Sequence, residues 1–470
     1  MKIRIDSRKV ETGDAFFCIK GAESDGHDFI EAAIEAGASA IVCEKMPNIP
    51  SESEKGVLFV KVDDTKKALS AACAAYYGHP AKDMTVFGVT GTNGKTTTAH
   101  LIHSVLGRRV KTGYIGTLGA FYGDRTVKTG LTTPDATVLQ KILSDMRDDG
   151  VKCVALEASA HALVQSRVRD ADIDIAIFTN LTHEHLDYFV DMDTYFDAKA
   201  IMFDELKEGA VAVLNSDDPY FDRLKEHVKG RYVTYGLSGD ADYSAKDVSL
   251  KLDGTSFTLF AGGKEYQAEI PMTAEYNLYN SLAVIAALHS YGLEIEEILT
   301  ALAEADSVPG RMTRIDEGQD FTVIVDYAHT PDGYEKILSF FRKAVGDKNR
   351  IITVSGAPGK RDASNRKLQG ELLDRYSDKS FLTTDDNRRE SPTEIAKEIS
   401  SGFSRDHEYE IIEDRALAIE AAIKEAKRGD LVVCLGKGLE TYMYSGDGSV
   451  EYIGDHEAAK NALHKIIDKK

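Results

Sequence analysis

The chain has 470 residues, 43% hydrophobic and 29% charged, and carries a formal net charge of −20. That length exceeds what one hydrophobic core organises and predicts about two to four domains, while no run of eighteen apolar residues offers a membrane span. The acidic balance, with no basic stripe against it, speaks against a nucleic-acid partner and leaves anionic small molecules to be held by local cradles.

The start of the chain, Met1-Lys-Ile-Arg-Ile-Asp6, lacks the apolar block of a signal peptide, so a cytoplasmic protein with no membrane partner is expected. Cys18, Cys43, Cys73, Cys153 and Cys434 lie far apart in apolar patterns and are expected to be buried, inert thiols with no metal or disulfide role. A monomer is the expected state, since no large apolar patch is evident.

The expected fold class is α/β in three domains. In residues 1–83, short strands at Lys2–Asp6, Ala15–Ile19, Ala40–Cys43 and Leu58–Val62 alternate with helical stretches, a small α/β domain. Residues 84–308 carry apolar strands at Cys153–Leu156, Ile173–Thr179 and Ala210–Leu214 with helices between them, which predicts βαβ units and a largely parallel sheet. Tyr243–Pro271 alternates and turns at Asp253-Gly254 and Gly262-Gly263, an antiparallel meander on the sheet's flank, before a helix at Leu278–Tyr291. A break falls near Pro309-Gly310. In residues 309–470, strands at Thr322–Asp326, Ile351–Ser355, Ser380–Thr383 and Leu431–Leu435 alternate with helices at Asp332–Val345, Pro392–Gly402 and Arg415–Lys427. That is a second, Rossmann-like doubly wound sheet, whose sites belong at the carboxyl ends of its strands.

The most informative stretch is Val86-Phe-Gly-Val-Thr-Gly-Thr-Asn-Gly-Lys-Thr-Thr97. An apolar strand runs into a Gly/Asn loop, and a helix opens at Thr96. Loop N–H groups, the positive helix end, the Lys95 ammonium and the Thr96 hydroxyl together suit a nucleotide's phosphates and Mg²⁺. The strict pattern places glycine five positions before Gly94, where Val89 stands, so Gly91 makes the turn and the loop is a variant.

Other useful groups recur where strands end. Glu157 closes one strand, where a carboxylate can hold the Mg²⁺ of a nucleotide bound at Lys95 and Thr96. Asn180-Leu-Thr-His-Glu-His-Leu-Asp187 follows the next and offers His183, Glu184, His185 and Asp187, although a lone histidine there is ordinarily structural. Lys199 sits on a helix among apolar neighbours, which by itself reads as a snorkelling side chain. Asn277 and Asn280 share one helix face; capping accounts for one of them but not both.

These residues resemble a family. Thr90-Gly-Thr-Asn-Gly-Lys-Thr-Thr97, Glu157, Asn180…His185-Leu-Asp187, Asn277-x-x-Asn280, Pro309-Gly-Arg311 and Asp326-Tyr-Ala-His-Thr-Pro-Asp332 occur in the order and spacing of the Mur ligases, the ATP-dependent amide ligases of peptidoglycan assembly. Asp6-Ser-Arg-x-x-x-x-Gly13-Asp-x-Phe16, Gly21-x-x-x-Asp25-Gly-His-x-Phe29-Ile30, Thr132-Thr-Pro-Asp135 and Glu157-Ala-Ser-Ala-His-Ala-Leu-Val-Gln-Ser-Arg167 are similar to the MurE type. That type adds a diamino acid to UDP-MurNAc-L-Ala-D-Glu through an acyl phosphate.

The resemblance implies a role for each matching residue. Gly91, Thr92, Asn93, Gly94, Lys95, Thr96, Thr97, Asn277, Asn280, Arg311 and Asp326 would bind ATP. Ser7 and the Ala22-Glu23-Ser24 loop would contact the UDP, with Thr132, Thr133, Ser159, Gln165 and Arg167 on the muramoyl dipeptide. Thr96, Glu157, His185 and a carbamylated Lys199 would hold two Mg²⁺ ions, with Lys95, His185 and Lys199 serving catalysis. Arg361, Asp385, Asp386, Asn387, Arg388, Gly436 and Glu440 would surround the incoming amino acid.

Departures from the family pattern concern the amine. Enzymes that use meso-diaminopimelate ordinarily read Asp-Asn-Pro-Arg and Gly-Lys-Gly-His-Glu, whereas this chain has Asp386 and Asn387 in the middle of the first and Leu439 in the second. Arg388 remains to grip a distal carboxylate that lysine lacks, so diaminopimelate is favoured over L-lysine. Ala160 replaces a usual serine, Ala274 a glycine and Glu184 an aspartate. A superfamily ligase for another acid or amine, and a nucleotide-binding regulatory protein without catalysis, are the alternatives. Retention of Lys95, Thr96, Glu157, His185 and Lys199 together argues against the second.

Overall fold

The computed structural model describes residues 1–21, 24–47, 56–184, 188–306, 308–361, 363–403 and 406–467. Three principal sheets follow one another along the chain. The first has four parallel strands, Ile3–Arg4, Ala15–Phe17, Ala40–Cys43 and Leu58–Lys61, in sequence order. Its last helix, Thr65–Tyr76, is capped by Asp64 and buries Leu69 and Cys73 in a cluster that also contains Ala136 of the next domain.

The central sheet has eleven strands. Its middle is parallel and runs Arg231–Gly236, Val211–Asn215, Ile175–Phe178, Thr85–Thr90, Cys153–Glu157, Thr112–Gly116 from one side to the other. Val211–Asn215, Ile175–Phe178, Cys153–Glu157 and Thr112–Gly116 are buried at every residue, so both faces of the sheet's middle are covered. The expected meander lies on one flank as Tyr243–Lys251, Gly254–Ala261 and Lys264–Ile270, paired antiparallel.

A second antiparallel flank, Gly119–Tyr122 and Arg125–Val127, was not legible in sequence. Gly113, Gly116, Gly119 and Gly123 interrupt the alternation there. The third sheet has six strands in the order Thr313–Ile315, Thr322–Asp326, Leu431–Leu435, Ile351–Ser355, Lys379–Leu382, Glu408–Ile411, and all neighbours but the first pair are parallel.

Strand order places the site. The loop after Thr85–Thr90 lies between the ends of Cys153–Glu157 on one side and Ile175–Phe178 on the other. Connections diverge to opposite sides of the sheet at that point, opening a crevice past the strand ends. All five cysteines are buried free thiols, as expected. Among the described residues, no helix is long and apolar enough to cross a membrane.

Candidate active site

The phosphate loop is held by its neighbours from both sides. Thr92 N donates to Asn180 O at 2.8 Å, and Asn93 N donates to Asn180 Oδ1 at 3.0 Å. Thr179 Oγ1 donates to Asn93 O at 2.6 Å. Gly91 adopts φ 145°, and a Cβ there would fall 1.9 Å from Thr179 Oγ1; at Gly94, φ 87°, it would fall 2.3 Å from Asn280 Oδ1. Glycine at both positions lets the backbone pass close against Thr179 and Asn280 in a conformation other residues rarely adopt. The helix Lys95–Gly107 begins one residue earlier than expected and carries Thr96 and Thr97 in its buried first turn.

Lys95 folds back over the loop, with Nζ donating to Gly91 O at 2.8 Å and Thr92 O at 2.7 Å. Burial pulls its ammonium below the ordinary lysine range, against the raising fields of Glu184 and Glu157. A triphosphate offers that ammonium better acceptors than its own loop's carbonyls.

Glu157 is fully buried, and its carboxylate collects donors. Oε2 accepts from Thr96 Oγ1 at 3.0 Å and Thr117 Oγ1 at 3.3 Å; Oε1 accepts from Thr117 N at 3.0 Å and from the Tyr114 hydroxyl. Burial beside this carboxylate pushes the Tyr114 phenol well above its usual range, so it stays a neutral donor. The Thr96 hydroxyl and Glu157 carboxylate are hard oxygen donors and fit a small divalent cation whose other ligands come from phosphate and water. Among the described residues, no group of three or more His, Cys, Asp or Glu side chains is placed to hold a metal without such help.

The backbone of the same residue faces the other way. Thr133 Oγ1 donates to Glu157 O at 2.7 Å and lies 3.2 Å from Ser159 Oγ, and Ser159 caps the helix Ala160–Val164. Arg167 Nη1 donates to Thr133 O at 2.7 Å and Nη2 to Gln165 Oε1 at 2.7 Å, while Thr132 Oγ1 lies 3.2 Å from Thr117 Oγ1. Residues expected on the dipeptide thus form one connected group against Glu157.

The third domain borders a cleft over the loop, lined by Asn93, Thr96, Tyr276, Asn280, Arg311 and Asp326 among others. Arg311 Nη2 reaches Thr96 Oγ1 at 3.4 Å, and its guanidinium lies 4.6 Å from the centre of the Tyr327 ring. Asp326 is fixed by Met312 N and Ala328 N, each at 2.7 Å. His329 Nε2 stands 3.7 Å from Glu184 Oε1. Tyr276 Oη, buried in the lining, has no hydrogen-bond partner among the described residues, an orphaned donor suited to a bound nucleotide. Asn277 Nδ2 bonds Thr273 O at 2.9 Å, and Asn280 Nδ2 bonds Asn277 Oδ1 at 3.2 Å, so neither caps the helix Glu275–Tyr291, which starts instead from Ala274.

Lys199 lies within the helix Met192–Asp204 and does not snorkel; it is 1% exposed. Its Nζ sits 4.3 Å from the centre of the Tyr195 ring, and Thr92 Oγ1 donates to Tyr195 Oη at 3.3 Å. Burial, then the Lys95 cation, hold its amine well below the ordinary lysine range.

In the third domain, Lys437 is buried and binds Asp386 Oδ1 at 2.8 Å and Glu440 Oε2 at 2.5 Å, with Asp385 Oδ1 at 3.9 Å. Tyr327 Oη donates to Glu440 Oε1 at 3.0 Å. Arg388 Nη1 donates to Gly359 O at 2.6 Å, and Arg361 is exposed nearby in sequence.

Comparison with known proteins decides the family. The Mur ligase middle domain matches residues 89–288, the Mur ligase glutamate ligase domain residues 310–438, and the Mur ligase family catalytic domain residues 2–77. The UDP-N-acetylmuramoyl-L-alanyl-D-glutamate--2,6-diaminopimelate ligase of Geobacillus kaustophilus (strain HTA426) is 39% identical over 469 residues, 98% of this chain and 94% of the relative. The enzyme of the same name from Syntrophomonas wolfei is 40% identical over 469 residues, covering 99% and 95%.

The chain belongs to the Mur ligase family.

A solved structure of a ligase with that name superposes with a TM-score of 0.71 at 29% identity, covering 99% of this chain and 95% of the other. The MurF ligase of Thermotoga maritima in complex with ADP shares the fold, with a TM-score of 0.67 at 19% identity over 100% and 98% of the two chains. This Mur ligase is therefore an ATP-dependent ligase of three-domain α/β architecture.

Most residues expected to act in this Mur ligase converge around the loop, the Glu157 strand end and the Lys437 cluster. Ser7 and Ser24 lie at the first sheet's end of the molecule, in the turn Ser7–Lys9 and a loop where Gly21 N bonds Ser24 O at 2.9 Å. Ala22, Glu23, His185 and Asp187 fall outside the described residues. Sequence reasoning missed Tyr114, Thr117, Tyr195, Tyr276 and Lys437. Lys437 and Tyr195 stood inside stretches already read, around Glu440 and Lys199, but local pattern does not mark the contacts that the fold gives these residues.

Proposed function

We propose that this Mur ligase joins 2,6-diaminopimelate, in preference to L-lysine, to UDP-MurNAc-L-Ala-D-Glu with hydrolysis of ATP to ADP and phosphate. The observation that carries this reading is Glu157, whose carboxylate meets the nucleotide loop at Thr96 while its backbone meets the Thr133, Ser159 and Arg167 group. Two substrates are thereby brought to one point. The names borne by relatives about 39% identical over nearly the whole chain supply the acid and the amine.

The acid's free carboxylate attacks the γ-phosphorus, ADP leaves, and an acyl phosphate forms. The incoming amine attacks the acyl carbon, phosphate leaves with the bonding pair, and the ammonium proton is lost to solvent or base. Lys95 neutralises charge on the transferring oxygens, and Arg311, set by Tyr327 and Thr96, brings a second cation from the third domain. Thr96, Glu157 and Lys199 would hold Mg²⁺, which supplies charge neutralisation on the phosphates when bound. A neutral buried amine at Lys199 is the form that reacts with CO₂, and the resulting carbamate converts a useless cation into an anionic ligand. His185 is proposed as a further ligand on the resemblance alone. Closure of the third domain excludes water, which otherwise hydrolyses the acyl phosphate.

Arg388 suits a distal carboxylate, and the Asp385, Asp386 and Glu440 acids around Lys437 suit a distal ammonium. The enzyme is proposed to work in the cytoplasm, where ATP and nucleotide precursors are made, and as a monomer. Purified protein with ATP, Mg²⁺ and UDP-MurNAc-L-Ala-D-Glu should release phosphate when diaminopimelate is added and much less with lysine. Phosphate release that depends on neither amine refutes the assignment.

A further inference from the structure

The strongest feature not absorbed by the reaction above is the partner on the far side of Glu157. Tyr114 is fully buried in the strand Thr112–Gly116, and its hydroxyl donates to Glu157 Oε1, the oxygen that also accepts Thr117 N at 3.0 Å. The other oxygen, Oε2, is the one that meets Thr96 at 3.0 Å. The ring is held independently of this bond: it stacks on Phe121 with centroids 4.5 Å apart and planes 18° from parallel.

Room for the contact is made by Gly116, where a Cβ would fall 2.1 Å from Glu157 Oε1 and 2.4 Å from Tyr114 Oη. Gly116 is not in the left-handed region, so its backbone does not need glycine; only the space does. A carboxylate with one oxygen tied down by a rigid phenol presents the other in a fixed direction, without having to be ordered when a cation arrives.

We propose that Tyr114 is a positioning residue for the cation-binding carboxylate, tying Glu157 Oε1 so that Oε2 faces the Thr96 hydroxyl, with Gly116 as the space that allows it. This rests on the proposed role of Glu157, and the test separates the two. Mn²⁺ is the probe, its binding to the full-length protein with ADP followed by the loss of the free-ion paramagnetic resonance signal. Tyr114→Phe keeps the ring and its stacking and removes only the hydroxyl.

The variant should weaken Mn²⁺ binding about 10- to 100-fold, the usual effect of losing an outer partner of a metal ligand, while ADP binding in the presence of a chelator stays unchanged. Gly116→Ala, which drives a methyl group between Glu157 Oε1 and Tyr114 Oη, should do likewise, and wild-type Mn²⁺ affinity in it overturns the inference if Tyr114→Phe fails to fold. Wild-type Mn²⁺ affinity in the folded variant overturns the role of Tyr114 alone. A wild-type protein that binds ADP with no bound Mn²⁺, and is unaltered by Glu157→Gln, overturns the role of Glu157 and this inference with it.

Discussion

Asn93, at the tip of the phosphate loop, donates from Nδ2 to Asp332 Oδ2 of the third domain at 3.0 Å, a contact spanning 239 residues of chain. Lys336 Nζ shares that oxygen at 2.8 Å. The residue that shapes the loop also latches the domain that closes over it. Asp332→Ala removes the latch and leaves Lys95, Glu157 and Arg311 in place. One hydrogen bond of this kind contributes about 1 kcal/mol, so KM for ATP should rise about fivefold with a smaller change in kcat. An unchanged KM, with no increase in the radius of gyration by small-angle scattering, would show that the latch does not govern closure.

Lys199 sets structure against function. An amine buried beside Lys95 and a tyrosine ring, with its pKa pushed down by burial and by the Lys95 cation, is costly to the fold unless it is modified. Its folded pKa is depressed, so on lowering the pH the unfolded chain takes up this proton before the native one does, and stability falls as pH drops below the ordinary lysine range. Lys199→Met keeps the volume and removes that penalty. The expected outcome is a melting temperature equal to or above that of the parent, with ligase activity reduced by two orders of magnitude or more. Lys199→Ala should recover part of its activity with added short carboxylic acids, which mimic the carbamate. Full activity in either variant ends the carbamate proposal.

The fold was legible where burial is uniform. Ala40–Cys43, Thr322–Asp326, Ile351–Ser355 and Leu431–Leu435 have the bounds their apolar runs predict, because every residue but Thr322 in them is buried. What the sequence hid is exposed or interrupted. Glu408–Ile411 is an edge strand with all four residues exposed, and Ser364–Tyr376 is a predominantly polar helix whose buried face includes Arg366, Gln369 and Asp374. At the site, the loop, Glu157 and Arg311 were legible as motifs. Tyr114 and Tyr276 were not, since an aromatic residue in an apolar pattern shows only its ring, and the hydroxyl's partner is set by tertiary packing.

Ala274 adopts φ 69° and ψ 147° at the start of the helix Glu275–Tyr291, a region that glycine occupies freely and alanine does not. Such strain costs about 1–3 kcal/mol. The buried methyl group belongs to the core cluster that also contains Ile324 and Ala328, and its burial returns about 0.8 kcal/mol. Ala274→Gly should therefore stabilise the protein by about 1 kcal/mol, read as a higher melting temperature. A lower one would mean that the methyl's packing outweighs the strain.

Asp14 ties the first sheet together through Arg4 Nε at 2.8 Å, Lys2 N at 2.8 Å and Glu11 N at 3.2 Å. Burial raises its pKa, but the Arg4 bond and the two backbone donors outweigh that and bring it down to about 2. A depressed carboxylate stabilises the fold above its unfolded pKa and loses that contribution as pH falls toward the folded value. Between about pH 4 and pH 2 the first domain should lose protection from amide exchange more steeply in the parent than in Asp14→Asn. Parallel pH profiles would remove Asp14 from the account.

Arg415 and Asp455 form an ion pair with both side chains wholly shielded from solvent. Nε and Nη2 of the arginine meet the two carboxylate oxygens at 2.7 and 2.6 Å, Nη2 also donates to Leu435 O at 2.8 Å, and Tyr452 Oη donates to Asp455 Oδ1 at 2.7 Å. The pair joins the helix Arg415–Glu425 to the helix Asp455–Ile467 behind the strand that leads into Gly436. Removing one partner strands the other charge, so Arg415→Met should destabilise the third domain by about 3–5 kcal/mol. Replacing both charges with apolar groups removes the stranded charge, and Arg415→Met with Asp455→Leu should recover most of the loss. Chemical denaturation followed by tyrosine fluorescence reads both, since the chain has no tryptophan. A double variant no more stable than the single one would mean that the bonds to Leu435 and Tyr452, not the charges themselves, hold the two helices together.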